Sequence, residues 1–328
     1  MTLAVITGAS GLLGGNLAAA LRAERIHVRA IRRPSTKIDH LAHLDIEWVH
    51  ADLDDLDGLR LAFAGADVVF HAAAAVEVTP VLSPAMRKTN VDGTANVLAA
   101  VRAARATRLV HVSSVVGVGL STDGRPCDER ARWNFDDLGL VDGYAISKHQ
   151  AEELVRAAVD VDAVIINPTY MFGPLDARPS SGQLILDVVH RKIPGWSTGI
   201  NDFVDVRDVA RGALAAWRRG TRGERYILGG ERMTYRAIFE RIARIAGVAP
   251  PRWPAPRLAA LALGKAGDLY QRLTGKEPLI NSVAARYAYT RRFQFTHARA
   301  VRELGYRHGP VDDAIRDALT WFRAHAML

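Results

Sequence analysis

The chain has 328 residues, 49% of them apolar and 24% charged, the balance of an ordinary water-soluble folded protein and enough for one large core or two unequal domains. Its single cysteine, Cys127, excludes a disulfide framework, fits a reducing compartment and reads as a loop residue near solvent. The formal charge of +8 is scattered along helices, without a basic tail or interleaved aromatic residues, which argues against nucleic acid as a partner.

Met1-Thr2 leads straight into an apolar run, leaving no room for a signal peptide, and no apolar stretch approaches the length of a membrane span. The expected location is the cytoplasm, and no metal is expected. Val5-Ile6-Thr7 followed by Gly8-Ala9-Ser10-Gly11-Leu12-Leu13-Gly14 reads as strand, phosphate loop and helix. Gly8 permits the tight turn, Gly11 a close approach of backbone to pyrophosphate, and Gly14 close packing of helix on sheet. The free amides of the first helical turn, at Leu12 and Leu13, then face the anion, and Ser10 supplies either a hydroxyl to phosphate or a helix cap.

Helix 12–23 leads to a strand at 26–31 that ends in Arg32-Arg33-Pro34. An acidic residue at this strand end would accept from a ribose hydroxyl, whereas Arg32, aided by Lys37, would neutralise a 2′-phosphate, so NADP is favoured and NAD remains possible. A third strand, 46–51, ends in Asp52-Leu53, where Asp52 is placed to accept from the adenine amino group or to cap the helix 55–64. A fourth strand, 67–71, runs into Ala72-Ala73-Ala74, whose small side chains let a cofactor lie against the backbone; His71 reads as a packed strand residue rather than a base. One long helix is expected over 83–106, with Asn90 among its odd polar positions, and a fifth strand over 109–114 ends in two serines. Strands and helices alternating in this rhythm specify an α/β fold with a parallel, doubly wound Rossmann sheet.

A Gly-, Pro- and Asp-rich loop, 122–141, precedes a helix over 143–158 that carries Tyr144 and Lys148 four residues apart, on one face. A tyrosine near its ordinary pKa is a poor acid at neutral pH, and a cation one turn away would lower it; Ser114, at a strand tip, would bond the reacting oxygen. Only six of the 43 Lys and Arg residues are lysines, which sharpens the signal from Lys148. Beyond Pro168 the alternation breaks down, with helices at 182–192 and 209–218 and short strands at 203–206 and 226–228. Residues 1–168 are therefore read as the dinucleotide-binding domain, with 200–230 returning to it, and 169–328 as mainly a smaller substrate-binding lobe. After the proline-rich turn 250–256, an Ala- and Leu-rich amphipathic helix, 257–273, is expected to pack over the substrate pocket or to lie on a membrane surface.

These residues, with Asn167-Pro168-Thr169-Tyr170-Met171-Phe172-Gly173-Pro174 and Phe203-Val204-Asp205-Val206-Arg207-Asp208, resemble the extended short-chain dehydrogenase/reductase superfamily of NAD-dependent epimerases and dehydratases. Within it the chain looks most like the dihydroflavonol-reductase-like group, which includes hopanoid-associated sugar-epimerase-like and 3β-hydroxysteroid-dehydrogenase-like proteins. The resemblance implies Tyr144 as acid and base, Lys148 on the nicotinamide ribose, Ser114 on the substrate oxygen, and Asn90 holding the site's geometry. It places Pro168, Thr169 and Ser181 by the cofactor and Tyr170, Met171 and Trp196 around the substrate, and implies a homodimer through helices 83–106 and 143–158. Where sugar-nucleotide epimerases carry an arginine before the aromatic residue matching Phe203, this chain has Asn201-Asp202, which favours a small, neutral, largely apolar carbonyl or alcohol over an anionic sugar nucleotide. The expected activity is NADPH-dependent carbonyl reduction; the alternatives are a sugar epimerase or dehydratase that retains NAD, a hydroxysteroid-dehydrogenase-like oxidoreductase, and a cofactor-binding sensor without turnover.

Overall fold

The computed structural model describes residues 2–276, 278 and 280–328. Seven parallel strands form the central sheet: β1 (Leu3–Thr7), β2 (His27–Arg32), β3 (Glu47–His50), β4 (Val68–His71), β5 (Arg108–Val112), β6 (Ala163–Pro168) and β9 (Arg225–Leu228). They stand in the order β3-β2-β1-β4-β5-β6-β9, so the direction of winding reverses between β1 and β4. A crevice opens at the carboxyl ends of the strands at such a reversal. β4 and β6 are buried along their whole length because helices cover both faces, which is why they read as unbroken apolar runs.

On one face α1 (Leu12–Ala23) packs beside α7 (Val206–Arg219); the other carries α2 (Leu56–Phe63), α4 (Gly93–Ala104) and α5 (Gly143–Ala157). The single helix expected over 83–106 is instead α3 (Pro84–Arg87), a π turn over Lys88–Asp92, and α4, which ends at Arg105 in the left-handed conformation. The extra residue of the π turn lets Asn90 bond across to a neighbouring loop, and such bulges recur at functional sites.

The second lobe is built on a three-stranded sheet of β7 (Tyr170–Phe172), β8 (Ile200–Asp205) and β10 (Glu231–Thr234). Its core takes side chains from α6 (Gln183–Val189), α8 (Tyr235–Ala246) and α11 (Val311–Ala324). Thus β8 belongs to the small sheet, while α7 and β9 go back to the large one. The expected helix 257–273 is α9 (Arg257–Thr274). Gly264, its one buried residue, and Gly267 face α10 (Ser282–Tyr287) and the segment before it, while Leu258, Leu263, Leu269 and Leu273 stand exposed. Among the described residues no helix is long and apolar enough to cross a membrane. Cys127 is half-buried rather than near solvent, bridging to Phe295, and burial pushes its thiol pKa up.

Candidate active site

The glycine turn closes on itself, Gly11 N–H donating to the Gly8 carbonyl at 3.1 Å. Gly8 has φ +76°, and a Cβ there would lie 2.6 Å from the Ala73 backbone; at Gly14 it would lie 2.1 Å from the Gly8 carbonyl oxygen. At Gly11, by contrast, a Cβ would meet only that carbonyl, at 3.5 Å. Packing within the chain therefore explains the first and third glycines, and the open space over the second is a cradle for something bound. The N-cap of α1 is Gly11, not Ser10, and no side chain caps the helix, so its first amides are left for a ligand.

A cavity of about 310 Å³ opens over this turn, lined by Gly8, Ser10, Gly11, Arg32, Asp52, Leu53 and the run Ala72 to Ala75. Asp52 is not the cap of α2; that is Asp55, whose carboxylate accepts from Gly58 N–H, so Asp52 is left to the cavity. The Arg32 Nε is buried without a partner, an orphaned donor that suits an anionic group. Lys37 stands exposed and off this lining, where Arg33, Thr36, Thr89 and the unforeseen Arg178 take part. The turn and the uncapped helix fit a dinucleotide with its pyrophosphate over Gly11.

Next to the cavity runs a buried chain of hydrogen bonds. Ala73 N–H donates to Thr7 Oγ1 (3.2 Å), Thr7 Oγ1 and His71 Nδ1 lie 2.7 Å apart, and His71 Nε2 and Thr94 Oγ1 3.0 Å apart; Thr94 Oγ1 donates to the Asn90 carbonyl at 2.6 Å. That last donation assigns the His71 proton to Nε2. Burial lowers the His71 pKa to about 3, from an ordinary 6.5, so the ring stays neutral. The unfolded chain thus binds the extra proton first as pH falls below about 6.5, and His71 costs stability over the descent toward 3. The denaturant midpoint of His71→Gln should fall less between pH 7 and pH 5 than that of the parent; parallel slopes in a urea titration would overturn this assignment.

The chain continues into α5. Asn90 Oδ1 accepts from Ala75 N–H at 2.7 Å, and its Nδ2 donates to the Ala75 carbonyl and the Ser147 hydroxyl, both at 2.9 Å. Ser147 in turn donates to the Tyr144 carbonyl at 2.8 Å, so the π turn fixes the first turn of α5 against the loop after β4. Asp142 caps that helix, accepting from Ala145 N–H at 2.9 Å and from the Tyr287 hydroxyl.

Tyr144 and Ser114 are brought together: Tyr144 is half-buried, the serine hydroxyl interacts with its phenol, and Lys148 lies one turn along. The Lys148 ammonium donates to the Val112 carbonyl at 2.7 Å, and burial lowers its pKa to about 8, opposed by the charge of Glu152. The expected lowering of the tyrosine pKa is corrected: burial raises it to about 12, while Ser114 pulls the other way and Asp142 adds to the rise. At neutral pH the phenol carries its proton, the state required of a group that protonates a carbonyl oxygen.

A second polar cluster, unforeseen in the sequence, holds Ser114 in place. Glu152, fully buried on α5, accepts from Ser113 (2.5 Å), Asn167 (2.7 Å) and Arg225 (2.8 Å), and Asn167 also donates to the Ser114 carbonyl at 2.9 Å. The one available signal was the position of Glu152, four residues after Lys148 on the same helical face.

The remaining expectations divide. Pro168 ends β6, pairing with Leu228, with Thr169 buried after it; the Ser181 hydroxyl is spent on the Met171 carbonyl at 2.5 Å. Tyr170 packs against the rings of Phe172 and Phe203, and Trp196 lies under Arg236, 4.8 Å from ring to guanidinium carbon. Asn201 and Asp202 are taken up by the small sheet, the Asp202 carboxylate accepting from Gly230 N–H at 2.7 Å.

A glycine cradle at the winding reversal and a tyrosine, lysine and serine at the neighbouring strand ends coincide with a known family pattern, the NAD dependent epimerase/dehydratase family, matched over residues 4–229. The chain belongs to that family. It is an enzyme of the family's NAD(P)-dependent chemistry at CH–OH and C=O groups. It is 34% identical, over 98% of its length and 94% of the other's, to a Synechocystis sp. protein provisionally named dihydroflavonol 4-reductase. It is 31% identical to sterol demethylase protein B of Methylococcus capsulatus, over 99% of both chains. With a Stigmatella aurantiaca 4-hydroxy-2-methyl-3-oxo-4-farnesyl-3,4-dihydroquinoline-1-oxide ketoreductase it shares 32% identity over 95% of each.

Proposed function

We propose that this family member is an NADPH-dependent reductase of a neutral, largely apolar carbonyl compound, acting in the cytoplasm. The observation that carries the reading is the half-buried, protonated Tyr144 phenol beside Ser114. A bound nicotinamide supplies the hydride, and the chain supplies position and the proton. Ser114 orients the carbonyl oxygen, Tyr144 donates its proton to it, and Lys148 binds a ribose hydroxyl while its charge steadies the phenolate left behind. Gly8, Gly11 and the amides of Leu12 and Leu13 hold the pyrophosphate, with Ser10 beside them; Asp52 and Leu53 take the adenine, and Ala72 to Ala74, Pro168 and Thr169 the remainder of the dinucleotide.

A neutral substrate is supported by the engagement of Asn201 and Asp202 within the small sheet, at the place where a sugar-nucleotide enzyme would carry an arginine. The named relatives agree in kind, their names referring to a dihydroflavonol, a sterol and a farnesylated quinoline. NADP rather than NAD is supported by the orphaned Arg32 donor. Arg32→Ala should raise KM for NADPH by about tenfold or more, the worth of a charge-assisted hydrogen bond, and leave NADH unaffected. Consumption of NADPH with a panel of apolar ketones and aldehydes tests the whole reading. A tightly held NAD with no net consumption, indifferent to Arg32→Ala, would replace it with an epimerase or dehydratase. The same proposal pairs two copies through α4 and α5, beside which Leu154 and Val159 stand exposed, and sedimentation equilibrium reads the mass.

A further inference from the structure

α9 is amphipathic in an unusual sense: its small residues face the protein. A Cβ at Gly264 would lie 2.8 Å from the Asn281 carbonyl and one at Gly267 2.1 Å from that of Ile280, and Asp268 accepts from Ser282 N–H at 3.0 Å. On the opposite side Leu258, Ala262, Leu269, Leu273 and Tyr270 follow one another at helical spacing as a continuous stripe. Leu258 is 83% exposed, Leu273 77%, and Trp253, in the turn before the helix, 73%. Such a stripe is larger than the scattered single apolar residues of an ordinary surface.

Along one edge of the stripe runs a groove of about 1160 Å³ between α9, residues 282–294 and the loop 121–140 that precedes α5. Among the described residues it is lined by five cations, Arg257, Lys265, Arg286, Arg291 and Arg292, against one carboxylate, Asp268, which is already engaged. Leu258, Leu261 and Ala262 join the groove to the stripe. The charge decides the occupant. Two copies meeting through this face would set cations against cations, whereas an anionic lipid surface offers acyl chains to the leucines and phosphates to the groove.

We propose that α9 and Trp253 seat this protein on the surface of a bilayer containing anionic lipids, lying in its plane, with lipid phosphates in the groove. The proposal is independent of the reaction assigned above. The full chain should sediment at low ionic strength with vesicles of phosphatidylcholine mixed with phosphatidylglycerol and stay in solution with phosphatidylcholine alone. Lys265→Glu with Arg291→Glu should lower binding about tenfold or more, and Leu258→Ser with Leu273→Ser by a similar factor. All four positions are exposed, so far-ultraviolet ellipticity and hydride transfer to a water-soluble carbonyl should stay at the parent's level. Equal binding to both vesicle types, no binding, or binding indifferent to both double variants would overturn the proposal. So would a dimer in lipid-free buffer that the leucine variant splits, which would make a second copy the occupant.

Discussion

Tyr144→Phe should lower turnover by about a thousandfold while nucleotide binding stays within a factor of two or so, because a positioned general acid contributes about 10² to 10⁴ in rate and little to binding. The phenol's burial, which holds its pKa near 12, also makes the effect one-sided: the lost group is a proton donor, and the phenylalanine ring fills the same volume. Single-turnover reduction measures the loss, and nucleotide titration by tryptophan fluorescence measures what is retained. Activity at the parent's level in the variant would remove Tyr144 from the mechanism, and equal loss of nucleotide binding would make it a structural residue. Ser114→Ala should act in the same direction with a smaller factor, since its hydroxyl only orients the oxygen.

The largest loss of stability is expected from Glu152→Gln. The carboxylate is fully buried and meets Arg225 at 2.8 Å, with the guanidinium also mostly buried, so neutralising one partner strands the other's charge. Breaking a buried pair in this way costs about 3 to 5 kcal/mol, toward the lower end here because Arg225 keeps its bonds to the Glu129 and Ala131 carbonyls. Removing Arg102, whose pair with Asp160 is open to water, should cost less than about 1 kcal/mol. Urea unfolding of the two variants side by side makes the comparison, and equal losses would show that the buried cluster carries no special weight. Because Glu152 shares Asn167 with the Ser114 carbonyl, the variant should also slow turnover without changing KM for NADPH.

The sequence alone determined what neighbouring residues decide among themselves. The glycines at 8, 11 and 14, the alternation of strand and helix, and the pairing of Tyr144 with Lys148 on one helical face all follow from spacings of a few residues, which backbone geometry converts directly into place. Tertiary structure alone decided the rest. Glu152 and Arg225 are 73 residues apart, the small sheet joins β7, β8 and β10 across α6, α7 and a strand of the large sheet, and the π turn at Asn90 is tied to Ala75 and Ser147 from other parts of the chain. The direction of the Tyr144 pKa belongs here too, since burial, which no local spacing records, outweighs the hydrogen bond from Ser114. So does the exposure of α9: periodicity shows that a helix has an apolar face, but whether that face is covered depends on which residues of distant segments arrive against it, and here they meet its glycines.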